Sequence, residues 1–499
     1  MGPVNPMHWM RLMLGLSMLL SLAFAGTVNS AAVSPERDAP EWGGGGEAPL
    51  PQTEDLSETQ RHEIQTTVEQ NIQRLGLQRP AAPFTTVLAW PVRAAGGLSD
   101  PGYHGLSAFV DHNLAYPDQL QDYACGTRTY DLASGVNHEG TDIFSWPFGW
   151  YKMDHNEVEV VAAAPGTIVY RQDGNFDRSC GINSNPANAV AILHADGSTA
   201  WYLHLKKDSV TAKPVGAAVV SGEYLGVMGS SGASTGPHLH FALYDSGGNW
   251  VDPFNGPCNA IPSWWAAQKP YYDSAINKLT TGLAPPVFPD CPVQETSNAR
   301  RYFNPGEKIY YTVYYRDQLA GQSSSFTVFR PDGTVSLSWS HASSAAHYAA
   351  AYWYWYATLA ADAQPGLWTF RAVYNGRTYF HRFSVGDPVT LSVQPVSGTA
   401  NLAWEVYADL PATSTWQITY SGPAGSQPSP ITGISHAVRN FSLSGLTNGA
   451  MYTITLNAVV NAQAVTTDTV SVMPSDKLIF LPVVAKNAPA AGMDGENGP

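Results

Sequence analysis

Apolar and polar residues alternate in short runs along most of this chain: Val158-Glu-Val-Val-Ala, Ala189-Val-Ala-Ile-Leu and Ala200-Trp-Tyr-Leu-His-Leu are separated by Gly, Asp and Asn turns. A period of two bounded by turn formers predicts half-buried strands. The stretch from Val87 to about Tyr272 therefore reads as a mostly antiparallel β domain. The texture returns from about 285 to 388, punctuated by Pro305-Gly306, Pro331-Asp332-Gly333 and Pro365-Gly366, where it suits a β-sandwich. It returns again from 389 to 474. One segment has the other period: Ile64, Val68, Ile72 and Leu75 follow Ser57-x-x-Gln60 at spacings of four, four and three, with Gly76 as the stop. That is a capped amphipathic helix. Its stripe must lie on something; the flank of the next domain is the plain expectation, and a latency segment over an active site is the sharper one. Residues 26–52, with Gly43 to Gly46, are expected to bury no core and to serve as linker or pro-segment.

The N-terminus assigns a compartment. Arg11 precedes Leu12 to Ala25, an apolar-biased run ending in Ala23-Phe24-Ala25, which reads as a signal peptide cleaved near Ala25. The run is shorter than the roughly 20 residues that a membrane span needs, so a soluble, exported chain is expected, secreted or associated with the envelope. Forty acidic against 26 basic residues give a net charge of -14, which excludes a basic nucleic-acid footprint. Four cysteines, Cys125, Cys180, Cys258 and Cys291, suit two disulfides in an oxidising compartment, with all three pairings open. A monomer is expected.

Chemistry concentrates in the histidines, eight of the 14 falling between residues 104 and 240. In an extended strand alternate side chains share a face, so His238 and His240 point one way and Leu239 and Phe241 the other. Residues four apart also share a strand face, which lets His138 and Asp142 reach one ion. Two or three imidazoles with a carboxylate, and no nearby thiol, suit a hydrolytic zinc holding three protein ligands and a water.

The ordered motifs His138-x-x-x-Asp142, Ala162-Ala-Ala-Pro165-Gly166, Tyr202-x-His204 and Gly229-Ser-Ser-Gly-Ala-Ser-Thr-Gly-Pro-His-Leu-His-Phe241 resemble those of the lysostaphin-like (LytM-type) zinc metallopeptidases, which cut peptide bonds in peptidoglycan. The resemblance covers about residues 130 to 250. It implies one Zn2+ per chain on His138, Asp142 and His240, with His204 and His238 as the catalytic pair, and peptidoglycan peptides as partner. The segment 389–474 resembles a fibronectin type III domain, with Trp404 and Tyr452 at that fold's early-strand Trp and corner Tyr. The expected protein is thus mainly β: signal peptide 1–25, linker or pro-segment 26–82, an antiparallel β-sheet metallopeptidase domain 83–275, a β-sandwich 285–388, a fibronectin type III-like domain 389–474, and a short apolar segment with a disordered tail 475–499.

Two other functions compete with this one. Gly232-Ala-Ser234-Thr-Gly236 matches a serine-hydrolase elbow, but Pro237 and an alternating strand follow where that motif needs a helix. A wall-binding or adhesive protein with an inert peptidase fold would use the two C-terminal β domains to hold a surface polymer, yet all five family positions are intact. Trp353, Trp355 and Trp368 are expected in a core. His104, His112, His155, His194 and Glu139 receive no role.

Overall fold

Seven strands, in the order His104–Ala108, Gly140–Ser145, His238–Tyr244, Thr199–Leu203, Ala189–Leu193, Gly166–Gln172 and Ala218–Val219, form the main sheet of the computed structural model. It describes residues 39–51, 58–79, 85–132, 135–181, 183–291, 293–423 and 429–476. Every pairing in this sheet is antiparallel. Alternation along Thr199–Leu203 sends Tyr202 to one face, with Val160, Leu239 and Phe241, and Trp201 and Leu203 to the other. The first face is closed by a three-stranded sheet of Val92–Ala94, Val158–Val161 and Tyr224–Val227. The second receives the helix Glu58–Arg74, whose Ile64, Val68 and Ile72 pack on Val169, Trp201 and Tyr244. The helix thus packs its stripe on the domain that follows it, on the sheet face that also carries His240. Its proposed cap, Ser57, lies outside the described residues.

Two further sheets face each other to form the sandwich. One contains Glu41–Glu47, His347–Thr358, Lys308–Leu319 and Ala275–Gly282; the other contains Tyr302–Phe303, Arg377–Val385, Gly366–Tyr374, Ser323–Phe329 and Val335–Ala342. Trp355 and Trp368 are buried in its core, as expected, and Trp353 is half-buried beside it. Two boundaries differ from the sequence expectation. The sandwich begins at Ala275, and the glycine-rich segment 41–47, read as linker, is its edge strand, paired antiparallel with His347–Thr358. Composition favoured a linker because glycine loses entropy in a strand. Pairing with a distant strand supplies backbone hydrogen bonds that composition does not reveal.

The C-terminal unit stacks Val389–Val396, Thr399–Val406 and Asn440–Ser444 on Ile431–Ser435, Thr415–Ser421, Tyr452–Val460 and Gln463–Val472. Trp404 meets Trp416 edge-on, and the Tyr452 hydroxyl accepts from the Thr447 N–H at 2.9 Å. The disulfides join Cys125 to Cys258 and Cys180 to Cys291. The second ties the region that holds the histidine motifs to the loop between the sandwich strands Ala275–Gly282 and Tyr302–Phe303. Among the described residues, no helix is long and apolar enough to cross a membrane. The segment 1–25, expected to be a signal peptide, and residues 477–499 lie outside the described residues.

Ile72→Ala should remove about 2–5 kcal/mol of packing from the helix face. We expect faster amide hydrogen exchange across Glu58–Arg74; unchanged exchange would mean that the helix does not depend on this contact.

Candidate metal centre and catalytic groups

The register of the main sheet assembles the site. His240 lies directly opposite Asp142 on one neighbouring strand and opposite Leu203 on the other, one residue before His204. Asp142 Oδ1 is 3.0 Å from His240 Nδ1, Asp142 Oδ2 is 3.2 Å from His138 Nε2, and the two imidazole nitrogens are 3.3 Å apart. One ligand atom from each residue falls within 4.8 Å of the others. All three side chains are buried. Burial opposes the Asp142 carboxylate, but His138 and His240 outweigh it and hold its pKa well below the usual value.

The neighbours orient these donors. His138 Nδ1 donates to the Phe109 carbonyl at 2.6 Å, which leaves the Nε2 lone pair facing Asp142 and His240. Tyr130 stacks on the His138 ring at 4.4 Å between centroids. Gly140 is required by proximity: a Cβ there would lie 2.5 Å from His240 Cε1 and 2.6 Å from Nε2. The glycine inside His138-Glu-Gly-Thr-Asp142 therefore makes room for a ligand on the next strand.

His204 and His238 meet with ring centroids 4.5 Å apart, next to the cluster; His238 Nε2 is 3.9 Å from Asp142 Oδ1. His204 Nδ1 donates to the Ser231 carbonyl at 2.7 Å, and His238 Nδ1 to the Gly236 carbonyl at 2.9 Å. Both Nε2 atoms are buried and have no hydrogen-bond partner among the described residues. His204 has φ +64°, the left-handed region that a non-glycine residue rarely occupies. Burial, assisted by His238 and His240, pushes its pKa down to about 3, and burial also lowers that of His238. Both rings are therefore neutral at pH 7, with Nε2 as an acceptor. Two imidazoles and a carboxylate converging beside two orphaned buried nitrogens fit a hydrolytic zinc, which His138, Asp142 and His240 would hold.

All five residues named from sequence thus come together. Ser234 lies behind them: its buried Oγ donates to the Gly236 carbonyl at 3.0 Å, lies 2.8 Å from Ser230 Oγ and contacts the Nδ1 side of His238 at 3.4 Å. The strand His238–Tyr244 follows it, rather than a helix. The residues given no role sit elsewhere: His112 bonds Asp252 at 2.8 Å, His194 bonds the Pro165 carbonyl, His155 stacks on Tyr151 and His104 lies tilted against Tyr103. Glu139 pairs with Arg61 of the helix. Sequence reasoning missed Phe109 and Tyr130, because a backbone acceptor carries no side-chain signature and Tyr130 precedes the recognisable motifs.

Residues 137–253 match the model of Peptidase family M23. That region is a LytM-type peptidase domain. Similar proteins include the DD-carboxypeptidase/endopeptidase Mpg of Neisseria meningitidis serogroup B, 33% identical over 129 residues, covering 24% of this chain and 26% of that protein. Lysostaphin of Staphylococcus simulans is 42% identical over 126 residues, covering 24% and 22%. The glycyl-glycine endopeptidase ALE-1 of Staphylococcus capitis is 32% identical over 112 residues, covering 22% and 30%. The chain spans about a quarter of the length of these curated relatives.

Gly140→Ala should displace the His240 ring and weaken zinc affinity by about 10- to 100-fold, the usual effect of disturbing a ligand's support. Competition against a chelating dye measures it; wild-type affinity would show that the ring tolerates the methyl group.

Proposed function

We propose that the protein is an exported zinc metalloendopeptidase that hydrolyses peptide bonds in the stems or cross-bridges of peptidoglycan. The observation that carries this reading is the His138–Asp142–His240 cluster with the neutral His204–His238 pair beside it, inside a domain matched to Peptidase family M23. His138, Asp142 and His240 would hold the zinc. When bound, the ion acidifies water and polarises the scissile carbonyl as a Lewis acid.

The chain's own groups supply the proton steps. His204 and His238 are buried, neutral and held through Nδ1 by carbonyls, so each offers Nε2 as a base to the same small volume. One imidazole takes the proton of the attacking water, and the protonated ring then returns it to the departing amine. A fixed ring loses no orientational freedom at that moment, and the left-handed backbone of His204 is part of what fixes it. Asp142, kept ionised, contributes a negative charge beside the imidazolium that forms. The relatives' names support both bond classes: one is a DD-carboxypeptidase/endopeptidase, another a glycyl-glycine endopeptidase. Two disulfides suit the oxidising compartment to which the Leu12–Ala25 segment points.

A non-catalytic wall-binding protein is the competing reading, and substitution separates the two. His240→Ala should lose zinc and the release of new amino groups from peptidoglycan. His204→Ala should keep zinc while turnover falls by about 100- to 10,000-fold, the range of general-base help. Zinc content and amino-group release, measured on one sample, check both; wild-type release by either variant would sink the assignment of that residue.

A further inference from the structure

The connection 173–188 between Gly166–Gln172 and Ala189–Leu193 forms no strand or helix among its described residues, yet its middle is held in one place. It lies against the loop 229–236, which leads into the strand of His238 and His240. The Ser179 N–H donates to the Ser230 carbonyl at 2.9 Å, and Ser230 Oγ donates back to the Ser179 carbonyl at 2.9 Å. The Gly181 N–H donates to the Ser234 carbonyl at 3.0 Å, and Asn183 Nδ2 to the Gly232 carbonyl at 2.8 Å.

The loop 229–236 is the one that orients the proposed acid–base pair. Its Ser231 carbonyl accepts from His204 Nδ1, and its Gly236 carbonyl accepts from His238 Nδ1. Ser230, Ser231 and Ser234 are fully buried, so a bond lost in this loop leaves a buried polar group unpaired.

An irregular connection held by a few hydrogen bonds needs an anchor, and the disulfide from Cys180 to Cys291 supplies one. Cys291 belongs to the loop between Ala275–Gly282 and Tyr302–Phe303, and that loop is itself fixed. Val287 and Thr296 exchange backbone bonds at 2.9 and 3.0 Å, Phe288 stacks on Phe148 at 5.3 Å between centroids, and Glu295 Oε1 accepts from the Trp150 N–H at 3.1 Å. The same loop forms one wall of a groove of about 340 Å³ that reaches Gly236 and Pro237. A chain of bonds therefore runs from the sandwich through Cys291, Cys180 and residues 179–183 to the carbonyls that hold the two imidazoles. The metal cluster hangs on other supports: the Phe109 carbonyl for His138, and strand register for Asp142 and His240.

We propose that Cys180 and Cys291 are positioning residues for the acid–base pair, their disulfide letting the sandwich set the placement of His204 and His238 independently of the His138–Asp142–His240 cluster. The inference rests on the proposed roles of His204 and His238. It gives the sandwich a part in catalysis that does not require it to touch the substrate. A catalytic group displaced by about 1 Å loses on the order of 100-fold in rate, so a modest loosening of the loop has a measurable cost.

The test uses the full, zinc-loaded chain with isotope-labelled histidine nitrogens. In the wild type the Nδ1 protons of His204 and His238, each held by a carbonyl in a buried loop, should give slowly exchanging low-field NMR signals, assigned by their loss in His204→Ala and His238→Ala. In the double variant Cys180→Ser with Cys291→Ser these protons should exchange at least about tenfold faster, and kcat for amino-group release from peptidoglycan should fall by about 10- to 100-fold, while zinc content stays at the wild-type level. Asn183→Ala, which keeps the disulfide and removes the bond to the Gly232 carbonyl, should move both readouts in the same direction by less. Near-ultraviolet circular dichroism verifies that the variants are folded, and if the double variant is not, Asn183→Ala carries the decision. Unchanged proton exchange, unchanged kcat, or zinc lost together with turnover would each overturn the positioning role. A wild type that releases no amino groups contradicts the proposed hydrolysis alone, because proton exchange and zinc content still decide whether the disulfide holds the two rings.

Discussion

The antiparallel register between Gly140–Ser145 and His238–Tyr244 is the constraint on which the site depends. It sets His240 opposite Asp142, and His138 reaches the same point from the end of the first strand. Side chains alternate across a strand, so a slip of one residue would exchange His238 and His240 for Leu239 and Phe241. The apolar positions guard against that slip. Leu239 and Phe241 belong to the core packed under the three-stranded sheet, and exposing them would cost several kcal/mol of burial. The geometry of the His138–Asp142–His240 cluster is thus held by hydrophobic residues that never touch it.

Much of this was legible in the sequence because it is local. Period-two runs locate the strands of the peptidase region, the spacing of Ile64, Val68 and Ile72 locates the helix, and His238-x-His240 declares a shared strand face. What could not be read depends on partners far along the chain. The left-handed backbone of His204, its bond to the Ser231 carbonyl and the bond from His138 to the Phe109 carbonyl have no pattern of residue types to announce them. The reason for Gly140, the His240 ring on the neighbouring strand, appears only once the strands pair. The segment 41–47 was misread for the same reason, and the pairing of Cys180 with Cys291 was undetermined.

The junction between the peptidase region and the sandwich is built from polar groups as well as apolar ones. Trp146 donates to the Tyr315 carbonyl at 2.9 Å, Asn277 donates to the carbonyls of His104 and Trp146, and Arg316 donates to Asn277. Arg128 and Asp317 form an ion pair that is nearly fully buried, at 2.9 Å. Buried bonds of this kind are directional, so they fix the orientation of the two layers more sharply than Phe144, Phe148 and Tyr314, which pack beside them, could do alone. The groove at Pro237 owes its walls to that fixed orientation, one side from the peptidase strands and the other from the loop around Phe288.

The edge strand Glu41–Glu47 also sets an order of events during folding. Glu41 is made early, yet its partner Tyr356 is made only after the whole peptidase region and most of the sandwich. Closing so long a loop is entropically costly and cannot precede the surface on which it closes. The glycine strand therefore cannot dock before His347–Thr358 has been made, and a nascent chain keeps this sheet edge open until then.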